Sequence, residues 1–349
     1  PMMKQESLAA KMSWVPPGSN SDILTTVAGY EAWAELYNKR EFQAASKFCV
    51  DNFLSRPTLI LIHKIRAQLL HSLYTAGVID VSAGGALNKA DPDRETVPAA
   101  LNANAASLPL LYSLISTALQ PKFAARIWGK MLRTTRDKVC RSVSCLRSIL
   151  NVSFFFQVVF LHPNGVNAPA MDEAFDRSCP PELYSFVEKR QNISVGSSGQ
   201  TFLVGTTRME PLPYILFGAY DLKLTGKGLE CDKWLLFGGE YDTLADIHLL
   251  RQRVDACMRR VFEGISKHPR QQPRKIQTRR SWTYVDEDEL VSERDYGEDD
   301  LISRDHRLSN TEIQELDFLT RDMVRILDEH SVQVRDYCKS HIISVLSMT

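Results

Sequence analysis

The chain has 349 residues, 44% hydrophobic and 24% charged, which is typical of a globular protein with at least one sizeable core. Its 42 basic residues balance 42 acidic ones, so no overall field draws it to nucleic acid or a membrane, and any such affinity must come from a local patch. The seven cysteines show no zinc-ligand spacing, and no apolar run approaches the roughly 18 residues that cross a bilayer, so neither a zinc finger nor a membrane segment is predicted.

The first 120 residues are predicted to be mainly helical. Residues 20–33, NSDILTTVAGYEAW, begin with three helix-capping residue types and continue with apolar residues at helical spacing. A better marked helix follows, in which Ser55 is the expected N-cap and Pro57 suits the first turn. We expect His63 on its surface, and a third helix over 104–119. The positions expected to form the buried stripe of the second helix are Ile62, Ile65, Leu69 and Leu73.

Residues 122–238 have the character of strands. The runs FLVGTTRM, PYILFGAYDLKL and KWLLFGG are β-prone and are separated by Gly and Pro at regular intervals. This spacing indicates a small antiparallel barrel or sandwich. Asp242 is then expected to cap an amphipathic helix that ends at Gly264.

The last part of the chain is charged. Residues 267–280 hold six Lys or Arg and no acid, whereas residues 286–300 hold nine acids, so neither segment can bury a core and a disordered linker is predicted. The basic run is either a source of phosphate affinity or a solvated linker. After it, Ser309 and Glu312 have the spacing of a capping box, which predicts a C-terminal helix or helical hairpin.

No catalytic motif is present in the sequence. The nearest string to a phosphate-binding loop, GSSGQT at 196–201, lacks the Lys of GxxxxGK[ST]. DEAF at 172–175 differs by one residue from a DEAH box, but it follows a Pro- and Gly-containing loop instead of a buried strand. Nucleic-acid binding remains as a possible function, because a small barrel with exposed basic and aromatic side chains can hold a single strand of nucleic acid.

The order of these pieces is more specific than any one of them. The segments are SDILTTVAGYEAW, FCVDNFLSRPTLILIHKIRAQLL, TALQPKFAARI, VVFLHPNGV, TTRMEPLPYILFGAYDLKLTGKGL and KWLLF. In this order they resemble the C-terminal half of DEAH/RHA-type RNA helicases, most of all the larger multi-domain members. The resemblance covers residues 1–265.

The resemblance implies an α+β architecture: an N-terminal helical bundle (the ratchet, or helicase-associated, domain), a small OB-like β-barrel with a closing helix, a disordered linker and C-terminal helices. The two RecA-like motor domains, which hold ATP and Mg²⁺, lie upstream in family members and have no counterpart here. Since residue 1 is also not Met, we expect a fragment without a cofactor of its own. The implied boundaries are a winged-helix remnant at 1–19, the ratchet domain at 20–117, the OB-fold at 118–265, the linker at 266–308 and a helical extension at 309–349.

The resemblance also implies a partner and a site. In the family, the ratchet domain and OB-fold close over single-stranded or structured RNA, and the motor domains step the strand through. We therefore expect an intracellular protein, cytoplasmic or nuclear, with no membrane partner and no catalytic residue of its own. The matching positions expected to contact RNA are Asn52, Ser55, Arg56 and Arg66 in the bundle, and His162, Asn164 and Arg208 in the OB region.

Two departures from the family pattern concern individual RNA contacts. The usual Tyr-Pro-Asn after the third helix is Gln120-Pro121-Lys122, and the usual hydroxyl residues after His-Pro are Asn164-Gly165. Two other functions stay open at this point. One is a stand-alone RNA-binding or adaptor module that acts on a helicase in trans, and the other is docking of a protein partner through 309–349.

The largest departure is an insertion, VCRSVSCLRSILNVSFFFQ, at residues 139–157. Without it, TTRDK runs directly into VVFLHPNGV, as in the family. Its first codon must begin with GT, and its last four codons can form a pyrimidine tract ending in CAG, which are the boundaries of an intron. We interpret the insertion as a translated intron; the alternative is a genuine apolar strand with an unusual loop before it.

Overall fold

The computed structural model describes residues 2–75, 102–135, 156–172, 181–192, 199–266 and 308–346, and it confirms an α+β structure. No helix in these residues is long and apolar enough to cross a bilayer. The helices are α1 (Met2–Ser13), α2 (Asp22–Asn38), α3 (Phe42–Asp51), α4 (Arg56–Thr75), α5 (Leu108–Leu119), the single turn α6 (Pro211–Pro213), α7 (Tyr241–Ser266) and α8 (Asn310–Leu346).

Ten strands form two sheets within the described residues. The larger sheet has the order β5-β6-β3-β2-β1-β4-β7, with β3 and β6 parallel and the other neighbours antiparallel, and it does not close into a barrel within the described residues. The smaller sheet has the order β10-β9-β8. The strands are β1 (Phe123–Trp128), β2 (Met131–Thr135), β3 (Phe156–Leu161), β4 (Leu183–Ser185), β5 (Glu188–Asn192), β6 (Gln200–Val204), β7 (Thr207–Met209), β8 (Leu222–Thr225), β9 (Gly228–Cys231) and β10 (Leu235–Phe237).

Contacts divide the chain into two compact units. The first draws on Pro1–His63, Ala103–Gln252 and Arg321–Thr349, and the second on Lys64–Asn102 and Arg253–Thr320. The first unit contains both sheets. Its core is built from residues that are distant in sequence: Phe123, Leu183 and Tyr214 belong to one buried cluster. The domain boundaries inferred from the sequence stay predictions.

The α2 helix begins and packs as its sequence dictates. Of the three capping residue types at its start, Ser21 is the cap: its Oγ accepts the backbone N–H of Leu24 at 3.2 Å. Trp33 is completely buried in a cluster with α3, and its ring stacks on that of Tyr37 with centroids 4.8 Å apart. This aromatic surface decides which face of α4 is buried.

The predicted buried stripe of α4 is wrong. Ile62, Ile65, Leu69 and Leu73 are each at least 40% exposed, whereas His63 is only 5% exposed. His63 Nδ1 lies 2.8 Å from the Tyr30 hydroxyl, and its ring contacts the edge of Trp33. The buried ring thus has a hydrogen-bond partner at Nδ1, and the face of α4 that is buried carries Leu59 and His63 instead of the predicted apolar stripe.

The PYILFG part of the predicted strand region is also wrong. Pro211–Pro213 form a helical turn that continues as a π-helix over Tyr214–Gly218, and strand structure returns only at β8. Periodicity cannot distinguish a fully buried strand from a short buried helix, and this segment is buried on nearly every side. Prolines in the first turn fix the helical φ there.

The charged part and the C-terminal helix give mixed outcomes. The predicted capping box is confirmed: Ser309 N–H donates to Glu312 Oε2 at 2.7 Å, and Glu312 N–H donates to Ser309 Oγ at 3.2 Å. The following α8 is one helix instead of a hairpin. The α7 helix begins at Tyr241, so Asp242 lies in its first turn and is not its cap. The linker prediction for 266–308 falls almost entirely outside the described residues.

The insertion at 139–157 lies mostly outside the described residues as well. Its last two residues, Phe156 and Gln157, begin β3 and pair with Thr135 and Thr134 of β2. The interpretation as a translated intron stays a prediction.

Replacing Gly29 with Ala is expected to destabilise the fold by about 1–3 kcal/mol, although Ala is normally about 1 kcal/mol better than Gly inside a helix. A Cβ at Gly29 would lie 2.6 Å from Cε3 of Trp14, and this rigid ring is itself stacked on Phe48. Urea unfolding would measure the change. In a Trp14→Leu background the sign should reverse, and destabilisation of equal size there would contradict the steric explanation.

Candidate nucleic-acid interface

The loop after β3 contains two of the residues predicted to contact RNA. His162 continues the strand ladder, since its N–H donates to Leu203 O at 3.0 Å. The chain then turns tightly, and Gly165 N–H donates to His162 O at 2.9 Å. The turn presents His162 and Asn164 together, both partly exposed. The side-chain amide of Asn164 has no hydrogen-bond partner within the described residues.

A buried carboxylate holds this loop to the start of α2. Asp22 is 5% exposed, and its Oδ1 accepts Lys11 Nζ at 2.6 Å and the backbone N–H of Val166 at 3.1 Å. Its Oδ2 accepts both the N–H and the hydroxyl of Thr206, at 2.9 and 3.1 Å. Lys11 also donates to Asn164 O at 3.0 Å. One charged residue therefore fixes α1, α2, the β3 loop and the start of β7.

Further polar contacts reinforce the junction. Ser21 and Thr207 hydroxyls lie 2.7 Å apart in a fully buried pair. The amide of Asn167, itself buried, donates to Asn20 O at 3.1 Å and to Thr206 Oγ1 at 3.1 Å. Because every member of this network has a partner, it makes the loop conformation specific.

The hydrogen bonds of His162 define its tautomer. Its Nδ1 accepts the backbone N–H of Asn164 at 3.2 Å, so the neutral ring carries its proton on Nε2. The ring edge faces Phe202, with centroids 6.2 Å apart and planes at 79°. His162 can thus offer one N–H donor from a fixed ring.

His162 lies in a positive environment. Burial lowers its pKa below the ordinary value, and the nearby charges of Arg190, Lys4 and Lys11 lower it further, while Asp22 acts weakly in the opposite direction. The chain as a whole is neutral, so this is a local positive patch. A patch of this kind is what a phosphate-binding surface requires.

Arg208, the third predicted residue in this region, belongs to a separate ion-pair cluster. One of its guanidinium nitrogens lies 3.4 Å from Glu182 Oε1, and the same carboxylate accepts from Arg126 at 3.1 Å. The Tyr184 hydroxyl donates to Glu182 at 2.9 Å, and burial followed by this carboxylate raises the pKa of Tyr184. Arg208 is one-third exposed, so part of its side chain is accessible to a ligand while it is paired with Glu182.

The predicted residues of the bundle occupy the α3–α4 connection and the surface of α4. The Asn52 amide donates to Phe48 O at 2.9 Å, which ends α3. The hydroxyl of Ser55 accepts from that of Thr58 at 2.8 Å. Arg56 and Arg66 are exposed on α4. The assignment of all seven positions to RNA contact stays a prediction.

The described residues contain no group of three or more His, Cys, Asp or Glu that could hold a metal ion. The surface around His162 and Asn164 is polar and basic.

Comparison with known proteins gives the chain its relatives. No protein-family profile matches it. It is 22% identical over 273 residues to the ATP-dependent DNA/RNA helicase DHX36 of Homo sapiens, which covers 77% of this chain and 23% of that protein. It is 21% identical over 262 residues to the ATP-dependent RNA helicase DHX29 of Mus musculus, covering 75% of this chain and 17% of that one. The chain is thus similar to a part of these two helicases over about three quarters of its own length. It spans about a quarter or less of the curated relatives it matches.

Sequence reasoning missed several residues of this surface. Asp22 was noticed only as a capping type, although it is the central acceptor of the junction. Phe202 lies beside His162 although it is distant in sequence, and Phe160 contacts Phe202; their β-prone runs give no reason to single them out. An acid at a helix start together with a Lys one element earlier is the only local signal that could have drawn attention to the Asp22–Lys11 pair.

Proposed function

We propose that this chain is the RNA-gripping and motor-coupling module of a DEAH/RHA-type ATP-dependent RNA helicase, corresponding to its ratchet domain and OB-fold. The similarity to two helicases over about three quarters of the chain supports this proposal. In the proposal, ATP and Mg²⁺ are held by motor domains outside this sequence, and the chain alone neither binds nor hydrolyses ATP.

The observation that carries the proposal is the junction built on Asp22. It connects the helices that would follow the motor to the loop that would touch RNA, through four hydrogen bonds or ion pairs of 3.1 Å or less. A displacement of α2 would therefore move His162 and Asn164 with it. Such rigid mechanical continuity is what a module that converts motor closure into RNA grip requires.

The large sheet is proposed to be the OB-like element. Its strands are three to six residues long, as in small nucleic-acid-binding barrels, and the loop that carries His162 and Asn164 follows β3, an interior strand of the sheet. His162 would donate Nε2–H, and the free amide of Asn164 would contact a phosphate or a base edge.

The proposal is tested by titrating the full chain into a fluorescently labelled single-stranded RNA and following anisotropy between about 50 and about 200 mM salt. We expect a binding constant whose logarithm falls linearly with the logarithm of the salt concentration. We expect no ATP hydrolysis with or without RNA. Absence of RNA binding at the lowest salt would refute the proposal. Replacing the aligned region of human DHX36 with this chain would then test coupling, through RNA-stimulated ATPase activity.

Acidification is expected to strengthen RNA binding through His162. Its pKa is below the ordinary value of about 6.5 in the free protein, so the ring is neutral at pH 7, and a bound phosphate would raise that pKa. Binding would then take up a proton, and affinity should rise several-fold between about pH 7.5 and about pH 5.5. His162→Gln, which keeps a donor without titrating, should flatten this rise. An identical pH profile in both proteins would exclude His162 as the cause.

A further inference from the structure

The outer side of the large sheet carries a row of partly exposed side chains beside the His162 loop. Arg190, Phe202 and Phe160 are direct neighbours on β5, β6 and β3, and cross-strand neighbours share one face of a sheet. The alternate residues Leu161 and Leu203 are buried on the opposite face, 7% and 0% exposed. The row is therefore not part of the core.

Two rings and an imidazole form what we call the aromatic face, consisting of Phe160, Phe202 and His162. The two phenyl centroids are 6.2 Å apart at 47°, and His162 meets Phe202 at the same distance in an edge-on arrangement. Val158, two residues before Phe160 on β3, lies on the same face of the sheet and is 50% exposed. Both phenyl rings also line an open cleft of about 430 Å³, together with Lys130 and other residues. A cleft of this size is in the range of small-ligand sites.

Positive charge surrounds the aromatic face. Arg190 is 62% exposed and pairs with the exposed carboxylate of Glu188, whose Oε1 accepts its Nε–H at 2.6 Å. A surface pair of this kind contributes little to stability, so the guanidinium can turn to another anion at small cost. Lys4 and Lys11 are close enough to His162 to influence its ionisation. The surface thus combines flat apolar rings with cations at their edge.

We infer that the aromatic face is a stacking site for unpaired bases of a single RNA strand, with Arg190 contacting the adjacent phosphate. Stacking on aromatic rings beside a basic groove is the general means of holding single strands. Bases within a duplex are already stacked and cannot reach the rings. This inference rests on the proposed function and adds contacts beyond the His162–Asn164 loop, because neither phenyl ring nor Arg190 belongs to that loop.

The test uses the full chain and a labelled uridine-rich single-stranded RNA, followed by anisotropy across a salt series. The Phe160→Leu/Phe202→Leu variant keeps apolar volume but removes both π faces, and we expect it to bind about 5- to 100-fold more weakly with an unchanged salt slope. Arg190→Gln should instead reduce the salt slope by about one phosphate. The matched control is Phe318→Leu on α8, a ring that is 63% exposed, which should bind as the unmodified chain does.

An abasic strand of the same length separates stacking from misfolding. The unmodified chain should lose affinity for the abasic strand, whereas the double Leu variant should bind both strands equally. The variant Phe160→Leu/Phe202→Trp, which again has one π face, should regain a preference for the strand with bases over the abasic strand. If the unmodified chain binds RNA and the double Leu variant matches it, or if the variant still distinguishes the two strands, the stacking inference is wrong while the proposed function stands. If the unmodified chain binds no RNA at all, the proposed function itself fails.

Discussion

Replacing Asp22 with Ala is expected to lower the free energy of unfolding by about 3–5 kcal/mol, the largest effect we predict for a single residue outside the aromatic core. The change removes the carboxylate that accepts Val166 N–H and both Thr206 donors, and it takes away the ion-pair partner of the Lys11 ammonium. Each buried donor that loses its acceptor destabilises the folded state by about 1–3 kcal/mol. Urea unfolding followed by tryptophan fluorescence would measure the loss.

Matched variants separate the charge from the hydrogen bonds. Lys11→Met removes the cation, which is one-third exposed, together with its bond to Asn164 O. It should cost less than Asp22→Ala, because the buried carboxylate keeps its bonds from Val166 and Thr206. Asp22→Asn keeps one carbonyl acceptor and should lie between the two. RNA affinity of Asp22→Ala should also fall, because the loop of His162 and Asn164 is no longer held. If Asp22→Ala were no less stable than Lys11→Met, the junction would not depend on this carboxylate.

Features that depend on a few neighbouring residues were predictable from the sequence. The capping box of Ser309 and Glu312, the cap at Ser21 and the end of α5 before Pro121 all follow from local chemistry that any context preserves. The mixture of helices and strands followed likewise from periodicity. These features establish the elements but do not determine which face of each is buried.

Features that depend on a distant partner were not predictable. The buried face of α4 is set by Tyr30 and Trp33 of α2, which accept His63 in preference to a wider apolar stripe. The π-helix over Tyr214–Gly218 is capped by Arg251 of α7, whose guanidinium donates to Leu216 O at 2.6 Å and to Ala219 O at 3.0 Å. The β-prone residues of this segment do not predict the contact with Arg251.

The candidate site shows the same division. His162 and Asn164 followed from a family resemblance, whereas Asp22 lies 184 positions from Thr206, which it contacts. The register that aligns Phe160 with Phe202 and Arg190 likewise exists only in the folded sheet. Residues adjacent in sequence could be proposed together, but the junction and the aromatic face required knowledge of strand order.

Deleting residues 139–157 is expected to leave the fold intact and to reduce aggregation. Lys138 would then precede Val158, and the pairs Arg133–Val158 and Leu132–Val159 would remain, joined by residues 134–138 as an ordinary hairpin loop. The deletion shortens the connection from residues 134–157 to residues 134–138, so the number of loop residues is halved slightly more than twice. The lower entropy cost of closing the shorter loop stabilises the fold by about 1 kcal/mol.

The deletion also has a cost, which the loop entropy roughly offsets. The β2–β3 pairs made by Phe156 and Gln157 are lost, together with the bond from Gln157 Nε2 to Thr201 Oγ1 at 3.0 Å, each worth about 1 kcal/mol or less. The melting temperature should therefore change by less than about 5 °C. The uncharged β-prone run SFFFQVVFL is interrupted, so the soluble fraction on expression should rise.

A second deletion of equal length, residues 143–161, is the control because it removes β3, the interior strand that joins β6 to β2 in the large sheet. It should abolish cooperative unfolding, whereas the 139–157 deletion should retain it, as well as RNA binding. Loss of folding in both would mean that the insertion is an integral strand and loop. Sequencing the mature transcript provides the independent readout: a transcript that skips these codons agrees with a translated intron, and peptides spanning residues 139–157 in the cellular protein contradict it. A transcript that skips these codons therefore requires that the shortened chain folds, since a segment that splicing removes cannot be required by the fold.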